Sequence, residues 1–387
     1  MVVGKNYLHN SLDFEGVARI GKLPFSILLV IALIALTNDF FVFSAVFAGS
    51  IVLLLFSNTK MALRSVNSFL AAIVLLLISL NTLLAEAQFG ITDVLRFSAV
   101  LLLVSLRPSY NISVYVLYLI LGLGVINSFA VVIQFLLADN MIVRTITTYY
   151  ARTDLVEILF GRDMVRSVGI FGGPARSGNF IIVSTFALLI LGRMRLLSQF
   201  VVISVMAFFL FSLLFLQAKQ AFFCFLLIAL GIFGVVRQLL VIVPVVVTLV
   251  YLGLFESFES LMSRTSSLLA RLQNYQELVT YLIDNGSIAT GVARPAEFSV
   301  FDSDLIFLYF LSGFFGVALF TALVFSYSSS LAILLGRNKL LVLIIIIISA
   351  SFNPFLMDSR YGLLLMLFFS SAISLVHASE SSLSSLD

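Results

Sequence analysis

A chain of 387 residues that is 61% hydrophobic and 11% charged, with mean hydropathy +1.17, holds more apolar side chain than a soluble interior can hide. The net charge of +3 is small and spread along loops, which argues against nucleic acid as a partner. One cysteine (Cys224) and two histidines near the termini (His9 and His377) give no basis for a disulfide, a multi-histidine metal centre or any cofactor.

The composition therefore reads as a single polytopic, all-α transmembrane domain over 1–387. The first 22 residues have no apolar core. The run from Leu23 to Leu36 is read as a transmembrane helix and not a cleaved signal, because its leading tail is long and no small-x-small cleavage site follows. Crossing the hydrocarbon takes about 20 apolar residues in a helix, and this places about twelve spans. They fall near 18–37, 40–57, 68–85, 91–107, 112–138, 177–193, 197–217, 219–237, 238–256, 304–334, 339–356 and 360–378. Helix is the only open-chain structure that satisfies its own backbone in lipid.

Basic residues in the short loops set the orientation. A cytoplasmic N-terminus puts Lys5, Arg19, Lys22, Lys60, Arg64, Arg107, Arg193, Arg195, Arg237, Arg337 and Lys339 inside, against Lys219 and Arg360 outside. Both termini are then cytoplasmic. Two large loops, 139–176 and 257–303, share the external face, and the Ser-rich end 379–387 reads as a disordered tail. In the second loop Leu268, Leu272, Tyr275, Val279 and Leu282 recur at helical spacing, which predicts an amphipathic helix in the interface.

Charged residues of chemical interest gather on that external face. Arg166-Ser-Val-Gly169-Ile-Phe171-Gly-Gly-Pro174-Ala-Arg176-Ser-Gly178 breaks helix continuity just before a span. Its arginines either grip a phosphate, with backbone N–H groups assisting, or are solvated residues of an ordinary loop. Lys219 sits in a hairpin with almost no room for a loop, as an interfacial anchor or a phosphate ligand. Asp93 and Arg96 are spaced for a local ion pair. Asp302 and Asp304 stand at the mouth of a long apolar helix that carries Gly313 and Gly316 about three turns on. They serve either as helix caps or as a general base held among cations.

In this order the motifs resemble the O-antigen polymerase and O-antigen ligase family of bacterial envelope enzymes. Arg166-x-x-Gly169-x-Phe171-x-x-Pro174, with Gly178 opening a span, is similar to the family's Arg-x-x-Gly-x-Phe…Pro-Asn block, with Ala175 in place of Asn. Lys219-Gln-Ala is similar to its Ser-Arg-Gly-Ala, and Arg271, Tyr275 and Gly291 follow the third motif. Asp302-Ser303, nine residues, Gly313, two residues, Gly316 matches the spacing of the last one, although ligases carry His at the first position. Asp302 there favours the polymerase branch.

The resemblance implies a fold similar to GT-C-type glycosyltransferases, with two large periplasmic loops, in the bacterial inner membrane. It implies metal-independent glycosyl transfer at the periplasmic face. A lipid-linked acceptor's hydroxyl attacks the anomeric carbon of a glycan carried on undecaprenyl pyrophosphate, and undecaprenyl pyrophosphate leaves. The partners implied are these lipid-linked glycans, membrane lipids and a chain-length regulator protein. The roles implied are pyrophosphate clamps for Arg166 and Arg271, with Arg176, Lys219 and Arg294 as supporting cations. Asp302 is the candidate base, with Asp304 and Glu297 as alternates. The rival readings are O-antigen ligase, which moves chains to lipid A core, and a polysaccharide flippase or transporter.

Overall fold

The computed structural model describes residues 60–61, 65–85, 90–150, 167–229, 231, 266–293, 303–352 and 362–384. In chain order these form β1 (Lys60–Met61), α1 (Val66–Ala85), α2 (Gly90–Ser105), β2 (Leu106–Arg107) and α3 (Tyr110–Leu136). Then come α4 (Met141–Tyr150), α5 (Pro174–Arg193), α6 (Gln199–Leu216) and α7 (Lys219–Ala229). Last are α8 (Ser266–Asp284), α9 (Asp304–Leu335), α10 (Lys339–Phe352) and α11 (Gly362–Ser384). Among the described residues five helices, α1, α3, α5, α6 and α9, are long and apolar enough to cross a membrane, and α7, α10 and α11 hold shorter apolar runs. The protein is a mostly helical, membrane-embedded chain. The spans expected at 18–37, 40–57 and 238–256 lie outside the described residues.

Burial grades the helices. α5 is enclosed from Ser177 to Leu191 and packs on α3, α6 and α9, so it forms the centre. α1 instead exposes Leu76, Leu80 and Leu83, which suits a lipid-facing position. Polar residues fix the register of α3 against α5. Ser184 Oγ donates to Ile120 O at 3.0 Å and Asn127 Nδ2 to Ser177 O at 3.3 Å, so the two helices run antiparallel.

That register puts the start of α3 and the end of α5 at one end of the bundle. Lys60 and Arg107 face each other there in the two-residue ladder of β1 and β2. Arg107 Nη1 donates to the carbonyls of Val104 and Leu106, and burial holds its pKa below the usual guanidinium value. The Arg193 guanidinium fills the space beside Gly336, which closes α9 in the left-handed conformation at φ 58°. The opposite end collects the starts of α5, α7 and α9.

Three expectations need correction. The span placed at 304–334 is not one continuous helix. α9 is broken at Ser312 (φ −146°, ψ 17°) and Gly313 (φ 57°, ψ −138°). The tail expected to be disordered from 379 continues α11 through Ser384, with Ser379 Oγ donating to Val376 O at 2.6 Å. In α8, Leu278 and Leu282 are buried while Val279, assigned by spacing to the apolar stripe, is 37% exposed. The stripe is rotated because α8 packs on α9 and not on a flat interface alone.

The break in α9 is filled by the segment after α8. Val292 N donates to Phe310 O at 2.9 Å and Phe314 N to Ala289 O at 3.2 Å, which satisfies backbone groups that the break frees. Asn81 of α1 adds donations to Thr290 O and Leu311 O, both at 3.3 Å. Gly313 is required twice over: its φ is left-handed, and a Cβ there would strike the Ala289 carbonyl. Gly291, at φ 72°, lies against the backbone of Leu311 and Ser312. The first eight residues of α9, Asp304–Leu311, thus form a short separate helix clamped by the segment 289–292.

Candidate functional site

The turn at 167–173 shows how the site is built. Every residue of it except Ile170 is buried, so its backbone needs partners. Gln134 Oε1 accepts from Val168 N at 3.0 Å and Gly169 N at 2.8 Å, and Asn127 Oδ1 accepts from Ile170 N at 3.0 Å. Ser177 Oγ donates to Val168 O at 2.6 Å and Ser167 Oγ to Val131 O at 2.8 Å. Gly169 (φ 64°) and Gly172 (φ 69°) let the chain reverse, and Phe171 packs on Phe180 with ring centroids 4.3 Å apart. The result is a fixed lead-in to α5, with Gly173 as N-cap and Pro174 in the first turn, directly ahead of Arg176.

Lys219 reaches the same place by another route. α6 ends on Gln217 in the left-handed conformation, φ 49°, and α7 starts two residues later. Gly178 admits the start of α7, since a Cβ there would stand 2.7 Å from Ala221 Cβ and 3.0 Å from Ala218 Cβ. The starts of α5 and α7 therefore pack backbone to backbone.

The third helix start is that of α9. Ser303 is its N-cap but makes no side-chain cap; its Oγ donates across to Ala350 O of α10 at 3.4 Å. Asp304 occupies the first turn and is fully buried. On the adjoining carbonyls of α10, Gln220 Nε2 donates to Ile348 O at 2.7 Å and Ser349 O at 3.1 Å, and Asn179 Nδ2 to Ser349 O at 3.5 Å. The helix starts that carry Arg176, Lys219 and Asp304 are thereby tied to one stretch of α10, Ile348–Ala350. Helix N-termini present unpaired N–H groups and positive partial charge, so these three starts with Arg176 and Lys219 suit negative charge, of which the buried Asp304 carboxylate already supplies one. Asn179 Oδ1 is buried with no hydrogen-bond partner among the described residues.

α2 borders the group. The Asp93–Arg96 pair expected from their spacing is present at 4.0 Å, and the Arg96 guanidinium carbon lies 5.3 Å from the Phe307 ring centroid in the first turn of α9.

Of the sequence-assigned residues, Arg176, Lys219 and Asp304 stand on these converging helix starts. Arg271 lies within α8, the helix that packs on the short half of α9. Arg166, Arg294, Glu297 and Asp302 lie outside the described residues. Sequence reasoning missed Asn81, Asn127, Gln134, Asn179 and Gln220. Their signal was available: carboxamides inside or at the mouth of apolar spans are costly unless used. No protein-family model matches the chain, and neither a curated protein nor a solved structure shows significant similarity to it.

Proposed function

We propose that the chain is a glycosyltransferase that joins oligosaccharide repeat units carried on undecaprenyl pyrophosphate into O-antigen chains, at the periplasmic face of the bacterial inner membrane. About twelve spans in a GT-C-like arrangement belong to this reading. The observation that carries it is the gathering of the α5, α7 and α9 helix starts, with Arg176, Lys219 and Asp304, on Ile348–Ala350 of α10. Such a site suits a leaving diphosphate whose lipid tail stays in the bilayer.

The chemistry asks for cations at the departing pyrophosphate and a base for the acceptor hydroxyl. Arg166 and Arg271 clamp the diphosphate, and Arg176, Lys219 and Arg294 add charge. Asp302 takes the hydroxyl proton, with Glu297 as its alternate. Asp304, fully buried in the first turn of α9, stays the second alternate.

The broken α9 also fits a transporter, in which discontinuous helices hold substrate. A gel of surface polysaccharide from a deletion strain separates the readings. One repeat unit on the core supports the polymerase. An empty core indicates ligase, and glycan retained inside the cell indicates a flippase.

A further inference from the structure

α8 has a second, chemically different face, which meets α9 only along its Tyr281 edge. Gln273, Gln276, Glu277, Thr280, Tyr281 and Asp284 line an open groove of about 620 Å³. Their spacing of three and four residues puts all six on one helical stripe, about 16 Å long at 1.5 Å per residue. The side chains of Gln273, Gln276, Glu277, Thr280 and Asp284 make no hydrogen bond or ion pair with one another or with other described residues. Two carboxamides, two carboxylates, a hydroxyl and a phenol face the groove together, and no cation is among these six.

The groove is joined to the candidate site. Tyr281 stacks on Phe310 with centroids 5.9 Å apart and planes 30° apart. Phe310 belongs to the short half of α9 that starts at Asp304, six residues or about 9 Å away along the helix. Leu278 and Leu282, on the other side of α8, are buried. The stripe is therefore held on the same packed unit as the helix start that carries the proposed chemistry.

We infer that this stripe is a saccharide subsite that binds uncharged or amine-bearing sugar rings of the substrate and disfavours acidic ones. The inference rests on the glycosyltransferase reading and adds to it where the glycan lies and which sugars it admits. Carboxylates accept from vicinal hydroxyls and carboxamides both accept and donate, while the face of an aromatic ring covers an apolar sugar face. A diphosphate or a uronic acid would meet Glu277 and Asp284 with like charge. The stripe thus takes the sugar, and the cationic helix starts take the diphosphate.

The test uses full-length protein in lipid nanodiscs and the lipid-free repeat oligosaccharide released from the strain's own surface polysaccharide. A second probe is that oligosaccharide oxidised at its primary hydroxyls to carboxylates. Binding is read by saturation-transfer NMR. Wild type binds the unoxidised probe at least 10-fold more tightly than the oxidised one, with the strongest transfer to ring protons. The double variant Glu277→Gln/Asp284→Asn, changed only at exposed positions, narrows that preference to below 3-fold, and Tyr281→Ala weakens both probes. Equal binding of the two probes by wild type, or a preference unchanged in the double variant, overturns the subsite. Failure of the glycosyltransferase reading shows separately, as polymer of normal length in the deletion strain.

Discussion

Asn179 and Gln220 donate to one backbone oxygen, that of Ser349, although they sit on helices separated by the whole of α6. This shared acceptor holds the starts of α5 and α7 against α10, and it converts two weak sequence signals into one site. Gln220 carries the shorter bonds. Replacing it leaves carbonyls underused in a buried setting, at a cost of about 1–3 kcal/mol. Gln220→Ala is expected to lower the thermal midpoint of the purified protein and shorten surface polymer. Gln220→Glu, which keeps the shape and cannot donate when ionised, should do the same. Wild-type midpoints in both variants would remove the clamp from the account.

The inserted segment makes its own prediction through two glycines. Gly313 and Gly286 both have left-handed φ, at 57° and 62°, but a Cβ at Gly286 meets nothing within 4 Å. Gly286→Ala should cost only the conformational term, about 1–2 kcal/mol. Gly313→Ala adds collision with Ala289 and Thr290 backbone, so it should deplete the membrane-inserted protein far more. Immunoblots of membrane fractions after heating detergent extracts compare the pair. Equal losses would show that the 289–292 segment does not grip α9.

Charge at the diphosphate is tested by Arg176→Ala and Arg271→Ala. Removing one pre-placed charge-stabilising group costs about 10²–10³ in rate. Both variants should lose long polymer while membrane levels stay near wild type. Arg→Lys at either position should recover part of the activity, because the charge returns without the bidentate fork. The readout is polymer per unit of membrane-inserted protein.

The two aspartates should separate. Asp302→Asn is expected to abolish polymer with normal protein levels, and Asp302→Glu to retain activity, as a proton acceptor must. Asp304 is fully buried at the first turn of α9, so Asp304→Asn should reduce protein levels as well. Ladder gels normalised to protein amount distinguish a lost base from a lost anchor.

Apolar length made most helices legible: α1, α3, α5 and α6 lie within three residues of their expected bounds, because lipid permits little else. The break in α9 was marked in sequence only by the pair Ser312-Gly313, easily passed over inside a long apolar run. The partner that makes the break tolerable, 289–292, is close in space and only weakly marked in sequence. For the site, glycine spacing around Gly169 and Gly178 pointed to the correct turn and helix start. The carboxamides that hold them, Asn127, Gln134 and Asn179, act across helices. Cross-helix pairing leaves no short-range spacing to read.

The most direct measurement reconstitutes the purified protein in vesicles with a synthetic undecaprenyl-pyrophosphate-linked repeat unit as its only substrate. Lipid-linked dimers and longer chains are expected, with one undecaprenyl pyrophosphate released for each bond formed. Repeat units that stay single, or that merely cross the bilayer unchanged, would contradict the polymerase reading.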